Sequence, residues 1–342
     1  MKAKVSGTKK KINGTTFLLM ITILLFVVMY AAGMIVFNDK GFAKPQMFLN
    51  LFISNAGLLV IAMGETIVMI TAGIDISVGS VTALVCMVAA NQMENHGASA
   101  YTALLMALVI GLLFGLVQGF LVSYLEIQPF IVTLAGMFFA RGMTTIVHTD
   151  PFNVQNKAFV ALKDTRVIVP GMGSVNRIGK YVDAYVEIGV IVALLIVVLM
   201  FVMLRWSKLG RAFYAVGGNK QSALMLGINV KRTRFLAQLF SGVLAGIAGY
   251  VYFLHVGSGS ASHATGMEMN AIASSIIGGT LLTGGVGNII GTFFGVLSLS
   301  TIQNIVSSAG LDQAWWTGIT IAAMLCLFLV IQSIVMARKN RG

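Results

Sequence analysis

The chain has 342 residues, of which 57% are hydrophobic and only 10% charged, where soluble proteins carry about 25% charged residues. With a mean hydropathy of +0.90 it reads as a membrane protein. The net charge of +12 sits in short segments flanking apolar runs, which excludes a nucleic-acid-binding reading. Cys86 and Cys326 both lie inside apolar runs without His or charged neighbours, so neither a disulfide framework nor a metal site is indicated and both read as packing residues.

In chain order, a basic tail over residues 1–15 precedes an uncharged run from Phe17 to Phe37. The tail imitates a signal peptide. The run is too long for an h-region, however, and Ala31-Ala32-Gly33 is a poor cleavage site, so a retained first helix is expected. Further apolar stretches follow at about 48–71, 76–92, 100–124 and 130–148, then from Ile188 to Leu204, at about 235–256, 267–286 and 289–308, and from Trp316 to Ala337. A hydrocarbon core of about 30 Å needs about 20 apolar residues per helix. The expectation is an all-α polytopic protein of about ten transmembrane helices in a single permease-type domain over 1–342, with the pairs around 72–76 and 284–288 as either loops or breaks in helices.

Lys and Arg collect on the cytoplasmic side of membrane proteins. Both tails are basic, so both belong inside and the number of spans is even. The 205–234 segment then also lies inside, and these three regions together hold fifteen of the 23 Lys and Arg residues. The large inside loop has no acid, while the outside loops have Asp39, Glu94, Asp150, Asp164 and Asp183 among their charges. The external segment 149–185, with Pro151, Pro170, Gly171 and Gly173, is expected to fold back on the membrane as a loop or short interfacial helix. No segment can hold a nucleotide-binding domain and no G-x-x-x-x-G-K-[ST] occurs. If ATP drives transport, another chain binds it.

Two stretches are more than greasy. Gly64-Glu65-Thr66 runs into Ile70-Thr71-Ala72-Gly73-Ile74-Asp75-Ile76-Ser77-Val78-Gly79-Ser80, and Gly279-Thr280-Leu281-Leu282-Thr283-Gly284-Gly285-Val286-Gly287 has a similar make-up. Small residues let helices approach closely in lipid, which accounts for part of this glycine. Interrupted segments at matching places in two halves also point to a substrate path. Thr66, Thr71, Asp75, Ser77, Ser80, Thr280 and Thr283 are therefore the candidate path residues, and the two halves are a candidate parallel repeat. A carboxylate deep in hydrocarbon must face protein or water; Asp75 is expected to cap the following helix, to touch substrate, or both. Glu65, in the preceding span, is expected to be protonated or paired with Arg141, the only basic residue within a span.

The third distinctive region runs from Gly210 to Val230. Asn219 is a good N-cap, 220–226 a two-turn helix with Ala223, Leu224 and Leu226 apolar, and Gly227 fits the left-handed position after its end. One reading is a helix lying on anionic lipid; the stronger is a docking knob for a cytoplasmic partner, with Arg211, Asn219, Ala223, Leu224, Leu226 and Gly227 as coupling residues. Catalytic signatures are absent from the sequence: there is no H-E-x-x-H or G-x-S-x-G, and His96, His148, His255 and His263 are scattered.

Ala72-Gly73-Ile74-Asp75-Ile76-Ser77-Val78-Gly79-Ser80 resembles the hallmark of permease subunits of bacterial sugar ABC importers of the ribose and galactose class. Gly210-Arg211 through Gly217-Gly218-Asn219, followed by Gly227-Ile228, resembles their cytoplasmic coupling segment. Ile127 to Met137 and Gly278-Gly279-Thr280-Leu281-Leu282 are similar as well, so the likeness spans about residues 50–335. Met137 to Gly142, with Trp315-Trp316-Thr317, is similar to the galactofuranose-type permeases. Glu65 departs from the pattern, which more often has Met or Gln there. The resemblance implies a ten-helix fold in the inner membrane, a second permease subunit, two ATPase subunits that bind ATP and Mg, and a periplasmic or lipid-anchored sugar-binding protein, with no cofactor on this chain. Branched-chain amino-acid permeases of ABC importers and ion-coupled sugar symporters are the competing readings.

Overall fold

The computed structural model describes residues 14–175, 179–311 and 313–340. The basic residues at 2–11, Arg177 and Arg341 lie outside them. In chain order the elements are α1 (Gly14–Val36), α2 (Pro45–Ile70), α3 (Val78–Asn95), α4 (Ala100–Ser123), α5 (Pro129–Val147), β1 (Phe152–Asn153), α6 (Lys157–Lys163), β2 (Arg166–Val175) and β3 (Tyr181–Glu187). There follow α7 (Ile188–Trp206), α8 (Lys208–Gly218), α9 (Lys220–Met225), α10 (Val230–Val256), β4 (Ser258–Gly259), α11 (Met267–Ile277), α12 (Ile289–Ser308) and α13 (Ala314–Asn340).

Seven of the described helices, α1, α2, α4, α5, α7, α10 and α12, are long and apolar enough to cross a membrane. In α13 the described apolar stretch is the shorter Trp315–Ile331, and α3 ends in the polar run Asn91-Gln92-Met93-Glu94-Asn95. The stretch expected as one span over 267–286 is corrected: α11 stops at Ile277, and the glycines that follow take left-handed conformations at Gly279, Gly284 and Gly285 that end the helix.

The segment 149–185 is also richer than expected. It contains the short helix α6, whose Asn156 side chain caps Ala158 N at 3.0 Å, and an antiparallel β2–β3 hairpin. A two-residue ladder pairs β1 with β4. The all-α expectation therefore holds for the spans and not for this face.

α2 is the central helix, buried almost without interruption from Asn55 to Ile70, and it packs against α7, α10, α11 and α12. α4 lies along α10. Apolar burial drives little association in lipid, so close backbone approach has to supply the contact. Gly111 and Gly115 on α4 meet Gly242 and Gly246 on α10, where a Cβ on Gly242 would sit 2.5 Å from both the Gly111 carbonyl oxygen and the Gly115 nitrogen, and Gly119 lies against Phe235 and Gln238. Rings of Phe26, Tyr30, Phe42, Phe48, Phe52 and Phe293 join α1, α2 and α12.

Helix ends gather on two faces. On one, Gly285 N donates to Ile70 O at 2.8 Å, Tyr214 Oη to Gly287 O at 2.9 Å, and Lys231 pairs with Glu126 at 3.7 Å. On the other, Tyr185 N donates to Gln46 Oε1 at 2.9 Å, Gln155 and Asn156 N–H groups donate to Glu94 at 2.7 and 2.9 Å, and Tyr250 Oη donates to Ala100 O at 3.1 Å. The first face carries α8 and α9, and the second carries α6 and the hairpin.

Candidate functional site: the two breaks and the coupling helix

The chain leaves α2 at Ile70, turns through Ala72 in a left-handed conformation (φ 61°), and runs back beside α2 before α3 begins. Asp75 consequently lies near the middle of α10, where Ser241 Oγ donates to its Oδ2 at 2.7 Å. Its Oδ1 accepts from Ser77 N at 3.0 Å and from Ser77 Oγ at 2.6 Å, and Gln118 Nε2 donates to Ser77 Oγ at 2.9 Å. Asp75 thus satisfies a free N–H ahead of α3, as a cap would. The residue at the N-cap position is Ser77, whose side chain makes no cap bond.

The Glu65–Arg141 pair is not formed. Both Glu65 oxygens accept from Asp75 N at 3.3 Å, so the carboxylate braces the break. Arg141 Nη1 donates instead to Ala261 O at 3.0 Å and His263 O at 2.7 Å, tying α5 to the loop before α11. A guanidinium's five N–H donors can be satisfied by backbone carbonyls as well as by a carboxylate, and position along the sequence does not distinguish the two.

Of the candidate path residues, Thr66, Thr71, Asp75, Ser77, Ser80 and Thr280 are buried and Thr283 is exposed. Thr66 Oγ1 donates to Ala62 O at 2.7 Å and lies 3.0 Å from Ser275 Oγ and 2.7 Å from Thr292 Oγ1, so it joins α2, α11 and α12. Thr71 Oγ1 donates to Val68 O at 2.8 Å. Ser80 Oγ and Thr280 Oγ1 have no hydrogen-bond partner among the described residues, and neither do Gln238 Oε1, Glu268 Oε2 and Ser274 Oγ. An unpaired buried polar group costs about 1–3 kcal/mol. A cluster of them around the breaks marks the least satisfied part of the fold.

The helix expected at 220–226 is α9. Asn219 Oδ1 accepts from Ser222 N at 2.8 Å, and Gly227 is left-handed at φ 76°. Gly227 N donates to Leu224 O and Ile228 N to Ala223 O, both at 3.0 Å, which closes the helix as a Schellman motif. Ala223 does not face outward as expected; it is buried with Val216 and Val230. Leu224, Met225 and Leu226 are 50%, 81% and 78% exposed and form the apolar tip. Arg211 is exposed and donates to Trp206 O at 3.3 Å. Beside the tip is a cavity of about 560 Å³ lined by Lys220, Lys231, Arg234 and Glu126 among others.

Gly217, near the end of α8, belongs to the coupling-segment motif but was not among the residues given a role. It is wedged between the two breaks: a Cβ there would overlap the Ile70 carbonyl oxygen and come within 2.7 Å of Gly285 N. Gly284 in turn packs on Ala72 and the Gly217 carbonyl, and Gly285 on Gly218. Three glycine-rich segments far apart in sequence thus share one backbone junction, which ties the α8–α9 knob to both breaks. In the sequence the signal was only the Gly217-Gly218 pair.

A family model for branched-chain amino acid transport system / permease component matches residues 47–329. The chain is 37% identical over 314 residues to the inner membrane ABC transporter permease protein YjfF of Escherichia coli, covering 92% of this chain and 91% of that one. It is 35% identical over 337 residues to the fructose import permease protein FruG of Bifidobacterium longum, covering 98% and 96%. It is 31% identical over 293 residues to an autoinducer 2 import system permease protein, LsrC, of Yersinia enterocolitica, covering 86% and 76%. No solved structure matches. The chain belongs to this family of ABC-importer permease components of the inner membrane, in agreement with the resemblance carried by its motifs.

The Asp75 geometry makes a prediction. Ser241 and Ser77 hydroxyls accept as well as donate, so an amide can replace the carboxylate. Asp75→Asn should keep most transport, whereas Asp75→Leu should lose assembled protein, because it strands Ser241 and the Ser77 N–H. Uptake by cells expressing each variant, scaled to membrane protein level, is the check. Loss of accumulation in Asp75→Asn at normal abundance would show that the carboxylate itself carries charge or protons.

Proposed function

We propose that this chain is the membrane-spanning subunit of an ATP-driven importer of a monosaccharide, a pentose or hexose. It pairs with a second permease subunit, identical or different. Two ATPase subunits that bind ATP and Mg dock beneath it, and a periplasmic or lipid-anchored sugar-binding protein delivers substrate. In this reading the chain crosses the inner membrane ten times, α11 making one crossing together with the break that follows it, α6 and the hairpin face outward, and both termini are cytoplasmic; the alternation of helix ends between two faces supports it. The motif likeness to galactofuranose-type permeases and the relative named for fructose import favour a hexose.

The observation that carries the proposal is the α8–α9 knob. An apolar tip closed at both ends by caps and flanked by Lys and Arg fits a cleft on a partner, and the Gly217 junction gives it a mechanical route to both breaks. The breaks are the proposed path: Ser80 and Thr280, buried without partners, gain hydrogen bonds from water or sugar when the path opens. A symporter needs an ion site, and both oxygens of Asp75 already accept from hydroxyl or amide groups.

Leu224→Asp tests the reading. A carboxylate placed at a desolvated hot spot costs about 2–4 kcal/mol of docking, so the permease should insert normally yet lose sugar-stimulated ATP hydrolysis and uptake in proteoliposomes with its ATPases. Normal stimulation by sugar would refute the docking role.

A further inference from the structure

A second polar feature lies at the opposite face from α8–α9, outside the breaks. A cavity of about 310 Å³ opens between α2, the end of α10, the start of α11, the end of α12 and the 262–265 loop. Its lining includes Asn55, Tyr252, Ser262, His263, Asn270 and Gln303, and contains no Lys, Arg, Asp or Glu. Burial pushes the His263 imidazole below its ordinary pKa, so the lining is uncharged at neutral pH.

The walls are held in place. Asn55 interrupts α2 with non-helical φ −117° and ψ 15°, and its Nδ2 donates to Leu51 O at 3.0 Å and Ser300 Oγ at 2.8 Å. Arg141 pins the loop through the Ala261 and His263 carbonyls, and Ala264 is kept left-handed at φ 53°. A non-glycine residue held there marks a conformation imposed by its surroundings. The His263 ring meets Tyr252 edge-on at 5.6 Å between centroids.

Three primary amides and several hydroxyls around an aromatic wall suit a neutral polyhydroxylated ligand. Asn270 and Gln303 offer amide donors and acceptors to ring hydroxyls, Asn55, whose two N–H groups are taken by Leu51 O and Ser300 Oγ, offers its Oδ1, and the Tyr252 face takes the C–H side of a sugar ring. An amino acid would bring a carboxylate and an ammonium into a site with no counter-charge, which is costly at membrane depth. We propose that this cavity is the outer sugar-binding station of the permease, occupied after release from the delivery protein and before the breaks open, with Asn270 and Gln303 as specificity-determining residues. The proposal rests on the importer reading above.

The test uses the complete importer in proteoliposomes with labelled D-fructose, D-galactose, D-ribose and leucine. Uptake of at least one sugar by the wild type tests the importer reading; uptake of leucine and no sugar overturns it. Within a sugar-transporting complex, Gln303→Leu and Asn270→Leu should each lower subsaturating uptake about tenfold at matched assembled protein, the effect of losing one hydrogen-bonding partner that the bound sugar desolvates. Uptake within twofold of wild type in both variants overturns the cavity assignment. A second measurement does not need transport: Gln303→Cys in a Cys326→Ser background should react with an impermeant maleimide added outside, and the transported sugar should slow that reaction while leucine does not. No reaction, or reaction indifferent to sugar, overturns the assignment even if the leucine variants fail to assemble.

Discussion

Gly242→Leu is expected to remove most of the folded protein from the membrane. At this crossing the α4 and α10 backbones touch, and a Cβ on Gly242 would lie 2.5 Å from two backbone atoms of α4. Backbone cannot rotate out of the way as a side chain does, so the two helices must separate along the length that holds α4 to the bundle. Overpacking a tight site costs on the order of 3 kcal/mol, against a total stability of about 5–15 kcal/mol. The measurement is the monodisperse fraction after detergent extraction. Gly142→Leu is the control, because nothing lies within 4 Å of a Cβ at that position. Equal yields of the two variants would mean that the crossing is looser than its geometry.

Gly217→Val should separate assembly from transport. The added side chain overlaps the Ile70 carbonyl oxygen and crowds Gly285, so α8 must move off the junction while the α9 tip, several residues further on, keeps its caps and its apolar surface. The ATPases should still bind, and sugar uptake should fall at least about tenfold, since a displacement at the knob no longer reaches both breaks through the packed contacts that carry it. Gly218→Ala, with no atom within 4 Å of its Cβ, should transport normally. Retained uptake in Gly217→Val would break the proposed link between knob and breaks.

The expectations from sequence succeeded where the governing physics is short-range. Asn219 and Gly227 bound α9 because a cap and a left-handed stop act over a few residues, and the apolar runs from 17 to 308 fall on helices with boundaries shifted by a few residues, except the run over 267–286, whose helix ends at Ile277. They failed where a residue's partner is remote. Pairing with Arg141, one of the two states expected for Glu65, is not formed, and the fold gives each side chain backbone partners. Ala223 was placed on the docking tip by its apolar character, although the turn of α9 points it inward. The glycines singled out were those in the breaks, and the close pairs on α4 and α10 went unnoticed although Gly111-x-x-x-Gly115-x-x-x-Gly119 and Gly242-x-x-x-Gly246 have the spacing that puts small residues on one helix face.

The sequence alone determined that this is a membrane protein, where most of its helices lie, that its 205–234 loop carries a short capped helix, and through its motifs the permease family. Hydropathy, charge asymmetry and capping are properties of contiguous segments, so no partner segment is needed to read them. Only the tertiary structure decided that α11 stops at Ile277, that Asp75 is clasped by Ser77 and Ser241, that Asn55, Asn270 and Gln303 share one uncharged cavity, and that Gly217 sits between Ile70 and Gly285. Those facts depend on which backbones approach each other, and in lipid, where apolar surface is equally content against a neighbouring helix or an acyl chain, close packing of small residues and satisfaction of buried polar groups make that choice.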